Sequence, residues 1–211
     1  MGGHIPHVYV AAPWDGEEVS LADDQLRHLT RVMRLRDGDA VSYTNGEGLV
    51  GTGTLRANGL VRGGEKAVAR PSPVSMAVAP LKATDRMRFI VEKLQELGVE
   101  RLLWLSTDNG QSRPPTEAKT RAWAISALEQ SRGAWLIDIS GPVALDEIVR
   151  PQLMDGGGEA TLDQHATICI GPEGGWSASE SRALSATVGL AQTVLRTETA
   201  AVVAAGRAII G

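Results

Sequence analysis

At 211 residues the chain is long enough for one large domain or two small ones, and 43% hydrophobic with 22% charged residues is the balance of a globular protein with a core. No apolar run approaches the roughly 18 residues that span a bilayer, and the first residues lack the charged-then-apolar layout of a signal peptide. The single cysteine, Cys169, excludes an internal disulfide framework and suits a reducing cytoplasm.

The first part reads as β-rich. Val8-Tyr9-Val10-Ala11 is a short apolar run, and residues 22–35 have helical spacing with Leu26, Leu29 and Val32 or Met33 on one face. Asp37-Gly38-Asp39 is a turn signal, residues 40–44 alternate as a half-buried strand, Asn45-Gly46 is a hairpin-type turn, and residues 48–55 continue as a strand. Arg70-Pro71-Ser72-Pro73 is the expected boundary, because paired prolines keep backbone extended. It divides the chain into 1–71 and 72–211. Beyond it, residues 74–81 form an apolar run suited to a strand buried on both faces. Residues 85–97 carry Met87, Ile90, Val91, Leu94 and Leu97 at helical spacing, with Gly98 as the C-cap. Strands are expected at 101–106, 167–170 and 193–195, and helices at 119–130, 179–187 and 199–210; Gly156-Gly157-Gly158 reads as a loop. Strand and helix in alternation indicate an α/β domain with a largely parallel sheet.

Charge is unevenly distributed. The net charge of −4 argues against a polyanionic partner for the chain as a whole, yet residues 27–36 hold four arginines and no acid. Residues 82–93 form a second basic window. After Pro151 only Arg182, Arg196 and Arg207 stand against six acids. A basic run is also what any solvated helix face presents, so the windows alone decide nothing. His4, His7, His28 and His165 show no metal-ligand spacing.

Two loops carry the chemistry. Gly171-Pro172-Glu173-Gly174-Gly175 follows a buried strand, and its glycines let backbone lie close against a flat, polar ligand. The dinucleotide fingerprint and the Walker loop are both absent. Leu195-Arg196-Thr197-Glu198-Thr199 precedes the last helix: Thr197 or Thr199 can cap it and Glu198 favours its dipole, but capping does not explain Arg196.

Together these loops, at this separation, resemble the 16S ribosomal RNA uracil-N3 methyltransferase family (RsmE) of the SPOUT class. The likeness extends in the family's order to His28-Leu29-Thr30-Arg31-Val32-Met33-Arg34, to Lys82-Ala83-Thr84-Asp85-Arg86-Met87, to Ala127-Leu128-Glu129-Gln130-Ser131-Arg132 and to Leu153-Met154-Asp155. It implies a small β-rich PUA-like RNA-binding domain followed by an α/β, trefoil-knotted SPOUT methyltransferase domain, working as a cytoplasmic homodimer on 16S ribosomal RNA or the small ribosomal subunit. No membrane and no metal are implied. S-adenosyl-L-methionine is the implied cofactor, gripped by Leu153, Met154 and Asp155, by Ile170 with the glycine loop, and by Leu190, Leu195, Arg196, Thr197 and Thr199. Arg27, His28, Arg31, Arg34, Arg36, Lys82 and Arg86 are the implied RNA contacts. N3 must lose its proton before in-line methyl transfer, so Glu129 and Glu198 are candidate carboxylates. Arg132 and Arg196 are candidates to hold phosphate or to stabilise charge on the uracil oxygens. The chain departs from the family at Leu190-Ala191-Gln192, where a glycine-proline pair is usual, and is less arginine-rich after Arg132. A SPOUT enzyme acting on another RNA position or a ribose 2′-OH, and a non-catalytic RNA-binding relative, are the alternatives.

Overall fold

Local patterning decides most of the elements in the computed structural model, which describes residues 5–71, 73–163, 165–183 and 187–210. His4, Ser72 and positions 184–186 of the expected 179–187 helix lie outside the described residues. The chain separates into two compact units, one comprising the described residues up to Arg70 plus Leu128–Leu136, the other Pro71–Ala127 and the chain from Ile137 onward.

In the first unit, the alternation at Ala40–Thr44 (β3) faces Val41 and Tyr43 inward, and β3 pairs antiparallel with Leu49–Arg56 (β4). The turn between them is held by the Asn45 side chain, whose Oδ1 accepts the N–H groups of Glu47 and Leu49. His7–Tyr9 (β1) lies parallel to β3. Gly59–Val61 (β5), Glu18–Ser20 (β2) and Glu65–Ala67 (β6) complete a six-stranded sheet. The core comprises Val8, Val19, Leu21, Leu29, Val41, Tyr43, Leu55 and Leu60. Each such side chain contributes about 1.5–3 kcal/mol by leaving water. The Tyr43 hydroxyl donates to Glu65, which Arg62 also grips through two nitrogens; burial and that neighbouring carboxylate push the phenol up to about 12.

The expected helix at 22–35 is shorter than its spacing suggested. Asp23–Arg27 (α1) runs directly into a π-helical turn, His28–Val32. Leu29 is buried but Val32 and Met33 are exposed, because the wider π turn rotates them off the buried face.

The second unit is a six-stranded sheet in which every pairing is parallel, its strands ordered Thr187–Val188 (β12), Pro151–Met154 (β10), Thr167–Ile170 (β11), Ser75–Val78 (β7), Arg101–Ser106 (β8), Asp138–Ala144 (β9). Parallel strands buried on both faces read as continuous apolar runs, as β7 and β11 do. Thr84–Leu97 (α2) ends at Gly98, whose φ of +79° is the left-handed C-cap. Glu117–Ser131 (α3), Ala178–Ala183 (α4) and Thr197–Ile210 (α5) are the other helices. Two expectations are corrected. Thr187 is in a strand, not a helix, and residues 193–195 form no strand: Val194 is 95% exposed and has no ladder partner. Cys169 is fully buried, and burial pushes its thiol up to about 12.

Candidate functional site

A cleft of about 630 Å3 opens beyond the carboxyl ends of β10 and β11, where open parallel sheets commonly hold ligands. β11 leads straight into the glycine loop, which turns back through a bond from the Gly175 N–H to the Pro172 carbonyl, 2.9 Å. Gly175 has φ +72°, a conformation only glycine adopts cheaply, and an added Cβ there would meet nothing within 4 Å. Gly171 is required for a different reason. A Cβ there would come within 2.9 Å of the Trp176 indole, which is itself pinned by donating Nε1–H to the Met154 carbonyl, 3.1 Å. Across the cleft, the Thr197 hydroxyl reaches back to the Gly171 carbonyl over 3.4 Å, so its role is to tie the two loops.

The sequence-predicted cofactor residues largely converge here. Met154, Asp155, Ile170, Gly171, Pro172, Glu173, Gly175, Leu190, Leu195, Arg196 and Thr197 all line the cleft. Leu153, Gly174 and Thr199 do not: Leu153 is fully buried among Ala77, Leu105 and Cys169, Gly174 backs onto Asn109, and Thr199 is exposed. Thr193 and Val194, within the expected loop 190–199, also line the cleft, and Trp176, Ser181, Ala200 and Gly156 join the lining beside the expected loops; an added Cβ at Gly156 would also meet nothing. Ala191 lines the cleft too. It is not among the non-glycine residues with positive φ, so the backbone there does not demand the missing glycine.

Arg86, expected as an RNA contact, bonds Glu173 of the glycine loop (2.5 Å) and Glu198 at the start of α5. One guanidinium thus clamps both walls, and both bonds hold its proton more firmly than usual. Burial pushes the Glu198 carboxyl up, but the Arg86 bond, its own backbone N–H and the charges of Arg86 and Arg196 outweigh that and hold it below its ordinary value. A carboxylate so engaged is a poor proton acceptor. Arg196, in contrast, is exposed on the cleft, and among the described residues its guanidinium has no hydrogen-bond or ion-pair partner. A second network escaped the sequence reading. The Asp108 carboxylate accepts from the Ser177 and Ser179 hydroxyls, the Asn109 amide donates to the Gly175 carbonyl, and Glu180 accepts the N–H groups of Asp108 and Ser177. These bonds fix the exit of the glycine loop.

The other predicted residues lie elsewhere. Glu129 and Arg132 are not among the residues lining the cleft; they belong to the segment grouped with the first unit. The Glu129 carboxylate accepts the Tyr9 N–H at 2.9 Å, and burial raises its pKa despite that bond. Arg132 occupies the left-handed position after α3 (φ +57°) and donates to the Ile5 carbonyl. Arg27, His28, Arg31, Arg34 and Arg36 are all exposed on or beside the π turn. Lys82 is exposed just before α2. Among the described residues, no cluster of three or more His, Cys, Asp or Glu is placed to hold a metal ion, and no helix is long and apolar enough to cross a membrane.

A family model described as an RNA methyltransferase domain matches residues 69–209, and one described as an RNA methyltransferase PUA domain matches residues 21–58. A Ribosomal RNA small subunit methyltransferase E of Mycobacterium bovis is 29% identical over 94% of this chain and 88% of its own. A protein of the same name from Neisseria gonorrhoeae, solved bound to S-adenosyl methionine, superposes with a TM-score of 0.84 at 26% identity, covering 97% and 96% of the two chains. A probable rRNA-methyltransferase of Porphyromonas gingivalis gives 0.81 at 26% identity, covering 96% of each.

Proposed function

From its membership of the RNA methyltransferase family, whose model covers residues 69–209, we propose that this chain transfers a methyl group from S-adenosyl-L-methionine to N3 of a uridine in 16S ribosomal RNA. The observation that carries the reading is the cleft itself: the two loops singled out by sequence form its opposite walls, tied by Arg86 and by the Thr197–Gly171 contact. The residues fit the cofactor. Bare backbone at Gly156 and Gly175 can accept a flat adenine, and Ile170, Leu190 and Leu195 supply apolar contact. Asp155 suits the positive sulfonium or ammonium group, and Arg196 suits a carboxylate or the substrate.

When bound, the cofactor supplies an electrophilic methyl group for in-line displacement. The chain's own contribution is placement and charge. Arg196, unpaired at the cleft, offsets the negative charge that spreads to the uracil oxygens as N3 gives up its proton to solvent water. Arg86 with Glu173 and Glu198 holds the walls at fixed separation, so Glu198 acts by positioning rather than as a base. Glu129 and Arg132 serve structure in this reading, anchoring Tyr9 and Ile5 to the end of α3. The exposed arginines of residues 27–36 serve as RNA contacts within the PUA domain. The resemblance further implies a trefoil knot, a homodimer and a cytoplasmic location; sedimentation at micromolar concentration giving a monomer would remove the dimer.

Small-subunit particles from a strain lacking the protein, incubated with it and S-adenosyl-L-methionine, are expected to gain 3-methyluridine, detected by mass spectrometry of nucleosides. A ribose-methylated product would overturn the base assignment, and no product on particles or naked RNA would overturn the activity. In the same assay Glu129→Gln is expected to retain transfer, and its loss in a variant of unchanged Tm would return Glu129 to the catalytic set.

A further inference from the structure

A second concavity in the same unit, about 440 Å3, lies between the start of α2 and the segment leading into α3. Lys82 and Thr84 line it from the start of α2, and Ser112, Arg113, Pro114, Pro115 and Lys119 line it from the segment leading into α3 and its first turn. Among the described residues none of the three cations forms a salt bridge or a side-chain hydrogen bond. Lys119 is held instead over the Trp123 ring, 5.3 Å from its centroid. The acids nearest in sequence, Asp85 and Glu117, are not among the lining residues. Like charges gathered at a concave surface repel one another, and an anion between them turns that repulsion into attraction. Two consecutive prolines fix much of the backbone after Arg113, so presenting its planar guanidinium takes little further ordering.

The groove also has a neighbour. The first turn of α2 presents Thr84 and Met87 to the groove and Arg86 to the walls of the methyl-donor cleft. The groove and the methyl-donor cleft thus share the first turn of α2. We propose that the groove walled by Lys82, Arg113 and Lys119 binds a phosphodiester of the RNA strand that carries the target nucleotide. This rests on the RNA-methyltransferase reading above and extends the RNA-contacting set from Lys82 to Arg113 and Lys119. A polyanionic strand suits a lining that combines three cations, contributed by two separate chain segments, with the hydroxyl residues Thr84 and Ser112.

The test is the affinity of the full-length protein for small-subunit rRNA, by filter binding at several salt concentrations, with the RNA KM for methyl transfer measured alongside. Arg113→Ala and Lys119→Ala are each expected to flatten the dependence of log affinity on log salt by about 1, and the pair to raise Kd roughly tenfold. S-adenosylmethionine affinity should stay at its wild-type value, and Arg113→Lys should recover part of the loss. Unchanged RNA affinity and salt slope in a double variant with wild-type Tm would overturn the proposal. Inorganic phosphate quenching Trp123 fluorescence while RNA does not would overturn it too, leaving a site for a free anion only. If the wild-type protein methylates no RNA, the functional reading fails, but the filter-binding comparison still decides the groove.

Discussion

Replacing Arg86 by alanine would leave Glu173 and Glu198 facing each other without a cation, and Glu198 is the more enclosed, at 13% side-chain exposure against 55%. Removing one partner of a fully buried pair costs about 3–5 kcal/mol; at this partial exposure about 1–3 kcal/mol is expected. Because the lost contacts are those that set the separation of the cleft walls, S-adenosylmethionine affinity should fall with stability. Arg86→Ala and Glu198→Gln should be non-additive in calorimetric binding, since each removes the same bond. Purely additive losses would mean that the two act independently. The pH dependence has a definite sign. Glu198 is held below its ordinary pKa, so its contribution is complete above the unfolded value of about 4.3 and is lost as the pH falls through the folded value. The Tm difference between wild type and Glu198→Gln should therefore be full at neutral pH and close in acid. No charge pattern in the sequence announces this clamp: its partners lie 87 and 112 residues from Arg86, and in its basic window the arginine looks like any other.

Among the elements, the glycine loop was legible and the reason for one of its glycines was not. Its composition allowed backbone to lie bare at the end of a strand, and Gly175 does. Gly171 is small because Trp176 lies against it, and only the tertiary packing reveals that contact. Gly171→Ala must move a rigid ring already fixed by its bond to Met154, with an expected cost of about 1–3 kcal/mol in stability and weaker cofactor binding. Thermal unfolding and calorimetry check both. An alanine variant as stable and as tight-binding as wild type would show that Trp176 is free to shift. The same contrast runs through the fold. β7, α2, β8, β11 and α5 were legible because full burial or one-sided burial writes a clear period into the chain. β9 was not: it is an edge strand, mostly exposed, with Gly141-Pro142 in its middle, and its residues need not be apolar. β2 and β6, three residues each, exist only because β5 and β4 supply ladder partners. Residues 193–195 show the reverse error, since β-branched side chains favour a strand but cannot make one without a neighbour.

At the scale of the molecule, the proline-rich boundary near Pro71 marks where the chain leaves the first unit, and sequence offers no sign that it returns. Leu128–Leu136 rejoins that unit. It does so through backbone and side chains together: the Ala134 carbonyl accepts the Gly48 N–H and the Thr44 hydroxyl, and the Leu136 N–H bonds the Gly46 carbonyl. The His7 ring bonds the Gly133 carbonyl, the Trp135 indole N–H bonds the Val68 carbonyl, and Glu129 receives the Tyr9 N–H. The bonds at Gly133, Ala134 and Leu136 use backbone atoms and ask nothing of side-chain identity there, while Glu129 and Trp135 look in the sequence like residues of an ordinary helix end and loop. Loss of these bonds is another matter. Cutting the chain at residue 70 strips partners from β1 and from the β3–β4 turn together, and a polar group left buried without a partner costs about 1–3 kcal/mol. Several such losses in a unit this small approach the whole stability of a domain of its size. The fragment 1–70 is therefore expected to lack a cooperative thermal transition by circular dichroism, while the intact chain shows one. Adding a synthetic peptide spanning 128–136 should restore part of the native signal. A fragment that melts cooperatively without the peptide would show that the returning segment decorates the first unit instead of completing it.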